Sequence, residues 1–191
     1  MTARVALTYQ DYVALPDDGK RYEIHDGELS VTPAPSSLHQ IVLGELFRVL
    51  SAHVTARSLG LVMVAPLDVL LSDRPSETTI LQPDIVYLDN ARLEALHMRG
   101  VEGPPTLAVE ILSPSTAATD RTRKRQLYAR YGVAYLWFVD PDTREIEAHV
   151  LDSGAYRLAG LASGAGPVDL PPFIDLGLVP SSLWPQFPIR P

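Results

Sequence analysis

Two charged residues in the segment 106–132 stand where packing alone would favour apolar side chains. In the predicted strand TLAVEIL the side chains alternate between two apolar faces, and Glu110 interrupts one of them. In the predicted helix that follows, Leu127 and Tyr131 belong to an inward stripe, and Lys124 falls on the same stripe at helical spacing. A carboxylate and an ammonium group are therefore predicted to face inward from consecutive elements.

A buried carboxylate needs a partner, because burial without one raises its pKa until the group becomes neutral. Asp84, which opens a predicted strand after Pro83, offers a second carboxylate. Hard divalent cations such as Mg²⁺ prefer oxygen ligands, so Asp84 and Glu110 could hold one ion with the main-chain carbonyl of Ile111. Lys124 could then position or deprotonate an attacking water, or neutralise charge that develops on a phosphate.

Each of these residues also has an ordinary structural explanation. Asp84 could simply mark the entry to a strand, as aspartates after proline often do. Glu110 could pair with a structural arginine such as Arg121 or Arg123. Lys124 could extend along the edge of its stripe into water. The residues taken one at a time therefore leave both kinds of role open.

The motifs of several common enzyme classes are missing. The chain has no GxSxG elbow, no GxxxxGK phosphate loop, no HExxH zinc helix and no GxGxxG fingerprint. Its five histidines show no close ligand spacing, and it has no cysteine, which excludes disulfides, thiolate metal sites and a cysteine nucleophile. After these exclusions, the residues that could carry out catalysis are carboxylates and lysine.

Composition narrows the class of protein further. The 191 residues are 46% hydrophobic and are expected to form one domain, with a core over about 20–152 and a surface-wrapping tail over 160–191. The net charge of −7 argues against a protein that coats DNA, although a local basic strip could still serve a nuclease. The N-terminus lacks the apolar core of a secretory signal and no apolar run is long enough to span a bilayer, so we expect a cytoplasmic protein without a membrane partner.

Turn and cap signals predict the elements that would position the charged residues. Asp26-Gly27 predicts a hairpin over 21–32. A helix is predicted over 8–15 with Thr8 as N-cap, and a longer one over 37–58 from a capping box of Ser37 and Gln40, with Gly60 at the C′ position beyond its end. Two more helices are predicted, one from Asn90 as cap to about Met98 and one after Asp120 as N-cap. Strands are predicted over 61–65, 67–71, 85–88, 107–112 and 135–139, and a terminal hairpin over 145–151 and 155–159. The two longer helices would flank a mixed sheet in an α/β fold.

The set Pro83-Asp84, Glu110-Ile111-Leu112 and Lys124 resembles the PD-(D/E)xK nuclease superfamily. The sequence from about Tyr22 to Pro141 resembles the Uma-type branch of this superfamily more closely still. The matching segments are YEIHDGELSVTPAPSSLHQ, QPDIVYL and VEGPPTLAVEILSPSTAATDRTRKRQLYARYGVAYLWFVDP. The resemblance implies a restriction-endonuclease-like mixed β-sheet flanked by helices, with an N-terminal hairpin and a C-terminal β extension. It also implies a metal site at the split of the sheet.

The resemblance further implies a set of site residues. In the common superfamily pattern the lysine lies two residues after the glutamate, a place that Leu112 occupies here, and Lys124 of the following helix fits that role instead. Asp84, Glu110 and Lys124 are then the catalytic residues, with Mg²⁺ or Mn²⁺ as cofactor. The resemblance adds three further candidates for the site: Glu23, Glu28 and His39. From helical phasing, Arg123 and Arg125 project sideways and could contact phosphates.

Three functional hypotheses follow. The first is a Mg²⁺-dependent endonuclease acting on nucleic acid, with DNA as the expected substrate, and working as a homodimer because double-strand cleavage needs two sites. The second is a nuclease-derived binding or regulatory domain that no longer cuts. The third is an interaction protein in which a buried pair of Glu110 and Lys124 is only structural.

Overall fold

The computed structural model of the protein describes residues 5–189 and has a mixed α/β architecture. The helices are α1 (Tyr9–Val13), α2 (Ser37–Ala56), α3 (Ala117–Thr119) and α4 (Arg125–Tyr131), with a π-helical turn (Asp120–Lys124) between the last two and 3₁₀ helices at Asn90–Ala95 and Pro180–Leu183. The strands are β1 (Arg21–His25), β2 (Glu28–Thr32), β3 (Gly60–Val64), β4 (Val69–Ser72), β5 (Thr79–Leu81), β6 (Ile85–Asp89), β7 (Leu96–His97), β8 (Gly100–Glu102), β9 (Leu107–Ile111), β10 (Tyr135–Asp140), β11 (Glu145–Asp152) and β12 (Ala155–Ala162).

The strands form two six-stranded sheets rather than the single sheet expected from the sequence. The first has the order β2-β1-β5-β4-β8-β7 and the second the order β12-β11-β10-β9-β6-β3. Both are mixed, because β4 runs parallel to β8 and β9 runs parallel to β10 while the other pairs are antiparallel. The predicted fold class, with its N-terminal hairpin β1–β2 and its C-terminal hairpin β11–β12, is confirmed.

Strand β9 lies between two apolar cores, as its alternation predicts. Leu107 and Val109 pack on the side of α2, whereas Ala108 packs on the side of α4. The chain's C-terminal segment reaches the first of these cores, where Leu183 and Trp184 are buried. Glu110 therefore points toward α4, the helix that follows β9.

Several helix boundaries differ from prediction. The capping box of Thr8 is confirmed, but α2 is capped by Ser36, whose hydroxyl accepts from the His39 amide, and not by Ser37. Beyond the C-terminal end of α2, Ser58 adopts the left-handed backbone conformation, with a φ of 52°. Gly60, which was expected there, is the first residue of β3. Hydroxyl side chains at neighbouring positions compete for the same cap, which a sequence pattern cannot resolve.

Two further helix predictions were wrong. The helix expected from Asn90 to Met98 is a 3₁₀ helix that ends at Ala95 and is capped by Asp89. Asp120 is not an N-cap, because the helix already begins at Ala117 and Asp120 lies inside it, in the π-helical turn.

Strands β5 and β8 were missed because each is only three residues long, too short to show an alternating pattern.

Within residues 5–189, none of the helices combines the length and apolar character needed to cross a membrane.

Candidate active site

The site forms where strand β6 stops pairing with β9. The two strands are in register only up to the pair Ile85 and Val109, whereas β9 continues beside β10 to Ile111. Asp84 is the residue just before β6, and its carboxylate Oδ2 accepts a 2.8 Å hydrogen bond from the Ile111 amide. The side chain of Asp84 thus takes over a main-chain amide that a longer β6 would have paired, and it is fixed at the split of the sheet.

A cleft of about 330 Å³ opens at this split. The segment 30–36, which comprises the end of β2 and the residues after it, forms one wall, and the loop 113–116 forms another. The charged residues that line it are the four carboxylates Glu23, Asp84, Glu110 and Asp120 and the two cations Arg21 and Lys124. The three residues predicted from the sequence to be catalytic therefore face one common cleft.

Asp84 is held by three donors and is only 3% exposed. Besides the Ile111 amide, Arg21 Nη1 lies 3.0 Å from Oδ1 and His39 Nε2 lies 3.2 Å from Oδ2. Burial opposes ionisation, but the bond with His39 and the charge of Arg21 keep the pKa of Asp84 below its ordinary value. Asp84 is therefore a fixed, ionised carboxylate, and His39 lines the cleft as its partner.

Glu110 is buried beside one cation and one hydroxyl donor. Lys124 Nζ lies 2.9 Å from Oε1 and 3.0 Å from Oε2, and the Tyr128 hydroxyl donates to Oε1 at 2.5 Å. Even so, burial together with the nearby carboxylates raises the pKa of Glu110 to about 8. Glu110 pairs with neither Arg121 nor Arg123, which were the structural alternatives. The site thus contains a carboxylate that would gain from an additional cation.

Lys124 lies among three carboxylates. Its Nζ is 3.0 Å from Glu23 Oε1 and 3.6 Å from Asp120 Oδ1, in addition to the contacts with Glu110. Burial opposes the charged form, but these carboxylates raise the pKa of Lys124 above its ordinary value. Lys124 therefore keeps its proton in this environment and acts as a cation and hydrogen-bond donor. It is poorly suited to deprotonate a water.

The two acidic residues of the first hairpin are placed differently. Glu23 lines the cleft, where Oε1 accepts from the Gln82 amide at 2.7 Å and Oε2 lies 3.1 Å from His25 Nε2. Although burial opposes it, the charge of Lys124 and the bond with His25 lower the pKa of Glu23 to about 2. Glu28 is on the exposed strand β2 and does not line the cleft.

The two arginines proposed to meet phosphates also lie outside the cleft lining. Arg123 forms a 3.0 Å ion pair with Asp26 and donates to the His25 carbonyl. Arg125 donates to the Tyr156 carbonyl and stacks on that ring. Any contact of these arginines with a phosphate would therefore compete with partners inside the protein.

The cleft includes two charged residues that the sequence reasoning did not assign to the site. Arg21 could have been found, because Arg21, Glu23 and His25 alternate along β1 and so share a face. Besides Asp84, Arg21 also binds the main-chain carbonyl of Gln82. Asp120 could have been found from its position four residues before Lys124, which is one helical turn along the same side.

The donor groups in the cleft fit a hard divalent cation. Four carboxyl groups share two cations, Arg21 and Lys124, so the cleft has more acidic groups than cations. Within residues 5–189, no group of three or more histidine, aspartate or glutamate side chains is arranged as a metal site. That is compatible with Mg²⁺, which commonly binds through one or two carboxylates and completes its shell with water and substrate phosphates. Asp84 and Glu110 are the two carboxylates at the split.

The mixed α/β fold with charged residues at the split of a sheet defines a restriction-endonuclease-like protein. The family model of Uma2, described as "Putative restriction endonuclease", matches residues 9–182, and the chain belongs to that family.

A comparison with solved structures agrees with this fold. The chain is similar to the crystal structure of a "putative nuclease belonging to DUF820" from Anabaena variabilis, with a TM-score of 0.70 and 19% sequence identity over 93% of this chain and 97% of the other. No match was found among curated proteins.

Proposed function

We propose that the protein is a divalent-metal-dependent endonuclease that hydrolyses phosphodiester bonds of DNA, with Mg²⁺ or Mn²⁺ as cofactor. The observation that carries the proposal is the convergence of Asp84, Glu110 and Lys124 on one cleft that has more carboxylates than cations. Membership of a family described as restriction endonucleases supports the reaction class. Chemistry and family therefore point in the same direction.

Each residue has a definite task in this proposal. Asp84 and Glu110 would hold the ion, with the carbonyl of Ile111 as a further ligand. The chemistry that such an ion supplies is polarisation of a phosphate oxygen and a lowered pKa of bound water. Lys124 donates hydrogen bonds and offsets negative charge on the phosphate, since its carboxylate neighbours keep it protonated.

The remaining residues of the cleft hold this group in place. Arg21 and His39 fix the two oxygens of Asp84, as partners behind a metal ligand commonly do. Glu23 holds Lys124 and is itself fixed by the Gln82 amide. Glu23 is a direct neighbour of the ammonium, so we place it in the site, whereas Glu28 on the outer strand is a candidate only for contacts outside the cleft.

Cleavage of duplex DNA would require two such sites, one for each strand. We therefore propose a homodimer as the active form. Arg123 and Arg125 are the candidates for contacts with DNA phosphates beside the cleft. The net charge of −7 implies that these contacts must be local, because the protein as a whole repels a polyanion.

The proposal is tested by incubating the protein with supercoiled plasmid in Mg²⁺, in Mn²⁺ and in EDTA. We expect nicking or linearisation only with metal, and its loss in Asp84→Asn and Glu110→Gln. The matched control is Glu45→Gln, which removes a carboxylate paired with Arg48 on the surface of α2. A folded wild type that binds no Mn²⁺ by calorimetry and cleaves neither DNA nor RNA would overturn the proposal.

One observation favours a second candidate, a nuclease-derived domain that binds nucleic acid without cutting it. Lys124 occupies both oxygens of Glu110, and in such a domain that contact would be permanent. Retention of DNA on the wild type with no cleavage in Mg²⁺, Mn²⁺ or Co²⁺ would support this candidate. Cleavage that depends on Asp84 and Glu110 would exclude it.

A further inference from the structure

The π-helical turn Asp120–Lys124 brings a fourth carboxylate into the cleft. A π-turn inserts one residue into a helix and redirects the side chains before it, and such turns occur often at functional sites. Here both ends of the turn point inward, with Asp120 at 3% and Lys124 at 5% exposure. The two side chains that the turn presents to the cleft thus have opposite charges.

Asp120 differs from the other carboxylates in its partners. Glu110 also accepts from Tyr128, and Glu23 also contacts His25 and the Gln82 amide. In the described part of the chain, Lys124 is the one basic side chain that forms an ion pair with Asp120. The main-chain amide of Asp120 donates to the Thr116 carbonyl in the preceding turn. The buried charge of Asp120 is therefore directed at Lys124.

We propose that Asp120 is a positioning residue that holds the Lys124 ammonium in the cleft when Glu110 binds the cation. This inference rests on the proposed function. At present Lys124 occupies both oxygens of Glu110, and these are the oxygens that a cation would take. Lysine has three N–H donors and the cation would repel it, so the ammonium needs other acceptors. Glu23 Oε1 and Asp120 Oδ1 already lie 3.0 Å and 3.6 Å away.

The kinetic test compares Asp120→Asn, which keeps the shape and removes the charge, with Asp120→Glu, which restores it. We expect Asp120→Asn to lower kcat about a hundredfold, because a displaced catalytic group loses alignment. KM for DNA should stay within about twofold, since substrate binding is not removed. Asp120→Glu should recover part of kcat. The matched control is Asp140→Asn, because Asp140 lies 4.0 Å from Arg121 of the same helical segment and outside the cleft lining.

A merely structural role for Asp120 predicts another pattern. Both Asp120 variants would then melt at lower temperature and lose activity only in proportion to the unfolded fraction, with no selective loss of kcat. A kcat of Asp120→Asn equal to that of the wild type at a temperature where both are folded would also overturn the proposal.

A second readout needs neither metal nor activity. Lys20 and Lys124 are the only lysines in the chain, so lysine labelled with ¹³C at Cε gives two side-chain signals. A side chain held in one conformation shows distinct shifts for its two Hε protons, whereas free rotation averages them. Glu110→Gln removes the charge of Glu110 without metal, and we expect the Lys124 protons to stay distinct in it. They should merge in Glu110→Gln combined with Asp120→Asn.

Exposed Lys20 serves as the internal control for that spectrum, and its signal should not change. Distinct Lys124 protons in the doubly substituted protein would show that Glu23 alone suffices, and would overturn the role of Asp120. If the wild type fails to cleave nucleic acid, the proposed function fails, and the two lysine signals still decide whether Asp120 positions Lys124.

Discussion

The ammonium nitrogen of Lys124 lies 2.9 Å from Oε1 and 3.0 Å from Oε2 of Glu110, so one lysine contacts both oxygens of the carboxylate that would bind a metal. Burial and the neighbouring carboxylates nevertheless raise the pKa of Glu110 to about 8. The pair is therefore not a balanced salt bridge but part of a cluster with excess negative charge. This imbalance has consequences that can be measured without knowing the substrate.

The first prediction concerns stability and pH in the absence of metal. The pKa of Glu110 is higher in the folded protein than in the unfolded chain, so its contribution to stability is complete below about pH 4.5 and is lost as the pH rises through about 8. We expect the free energy of unfolding in urea and EDTA to fall between pH 6 and 9, by at most about 1.4 kcal/mol per pH unit for this one proton.

Glu110→Gln should remove this part of the pH dependence, whereas the surface variant Glu45→Gln should retain it. Groups outside the cluster titrate equally in all three proteins, so the difference between the curves reports Glu110 together with the charged groups that surround it. Parallel curves for the wild type and Glu110→Gln would show that Glu110 is already ionised in the folded protein near neutral pH.

The second prediction concerns the ammonium. Lys124→Met leaves Glu23, Glu110 and Asp120 without their shared cation, and removal of one partner from a buried ion cluster typically destabilises by about 3–5 kcal/mol. Urea unfolding at pH 7 would measure this loss. The chain's other lysine provides the control, because exposed Lys20 forms a surface pair with Asp18 and Lys20→Met should leave the unfolding midpoint nearly unchanged.

A double variant tests whether Glu110 and Lys124 form an isolated structural pair. If they do, Glu110→Leu combined with Lys124→Met should be as stable as the wild type, or more stable. We expect it to stay destabilised, because Glu23 and Asp120 would still lack the ammonium. Full recovery of stability would favour the interaction-protein hypothesis.

The inward directions of Glu110 and Lys124 could be predicted because each follows from the period of a single element. Alternation along β9 and helical spacing along α4 decide which side chains share a face, whatever the rest of the chain does. The position of Asp84 at the entry to β6 was likewise predicted, because Asp84 follows Pro83 and precedes a short apolar strand. The oxygen-ligand chemistry of the carboxylates suggested the metal hypothesis, and the family resemblance supported it for these three residues.

Features that depend on distant contacts were harder to predict. The assembly of the first sheet depends on β5, which pairs with β4 on one side and, at Ile80, with β1 on the other. The start of the helix at Ala117, three residues before Asp120, and the π-turn that follows have no sequence signature. Arg21 reaches Asp84 across 63 positions of the chain, so their contact is a property of the sheet arrangement.

The third prediction concerns His39, which contacts Asp84 Oδ2 through Nε2. His39→Leu should lower Mn²⁺ affinity about 10- to 100-fold in calorimetry, since groups that fix a metal ligand affect affinity to that degree. His53→Leu is a close control, because His53 is also buried on α2 but packs against Phe173, away from the cleft. Equal losses in both variants would attribute the effect to helix packing, and an unchanged affinity in His39→Leu would remove His39 from the site.

The fourth prediction concerns DNA contacts outside the cleft. If Arg123 and Arg125 bind phosphates, replacing both by Gln should weaken DNA binding. The slope of log affinity against log salt concentration should become shallower by about 2, because binding then releases about one counterion fewer for each phosphate contact that is lost. Binding is best measured in an Asp84→Asn background, which would prevent cleavage. Arg48→Gln with Arg74→Gln makes the same change in net charge at exposed arginines elsewhere. The same change of slope in both pairs would mean that overall charge, and not these two arginines, governs binding, whereas a change confined to the first pair would locate the path of DNA beside the π-turn.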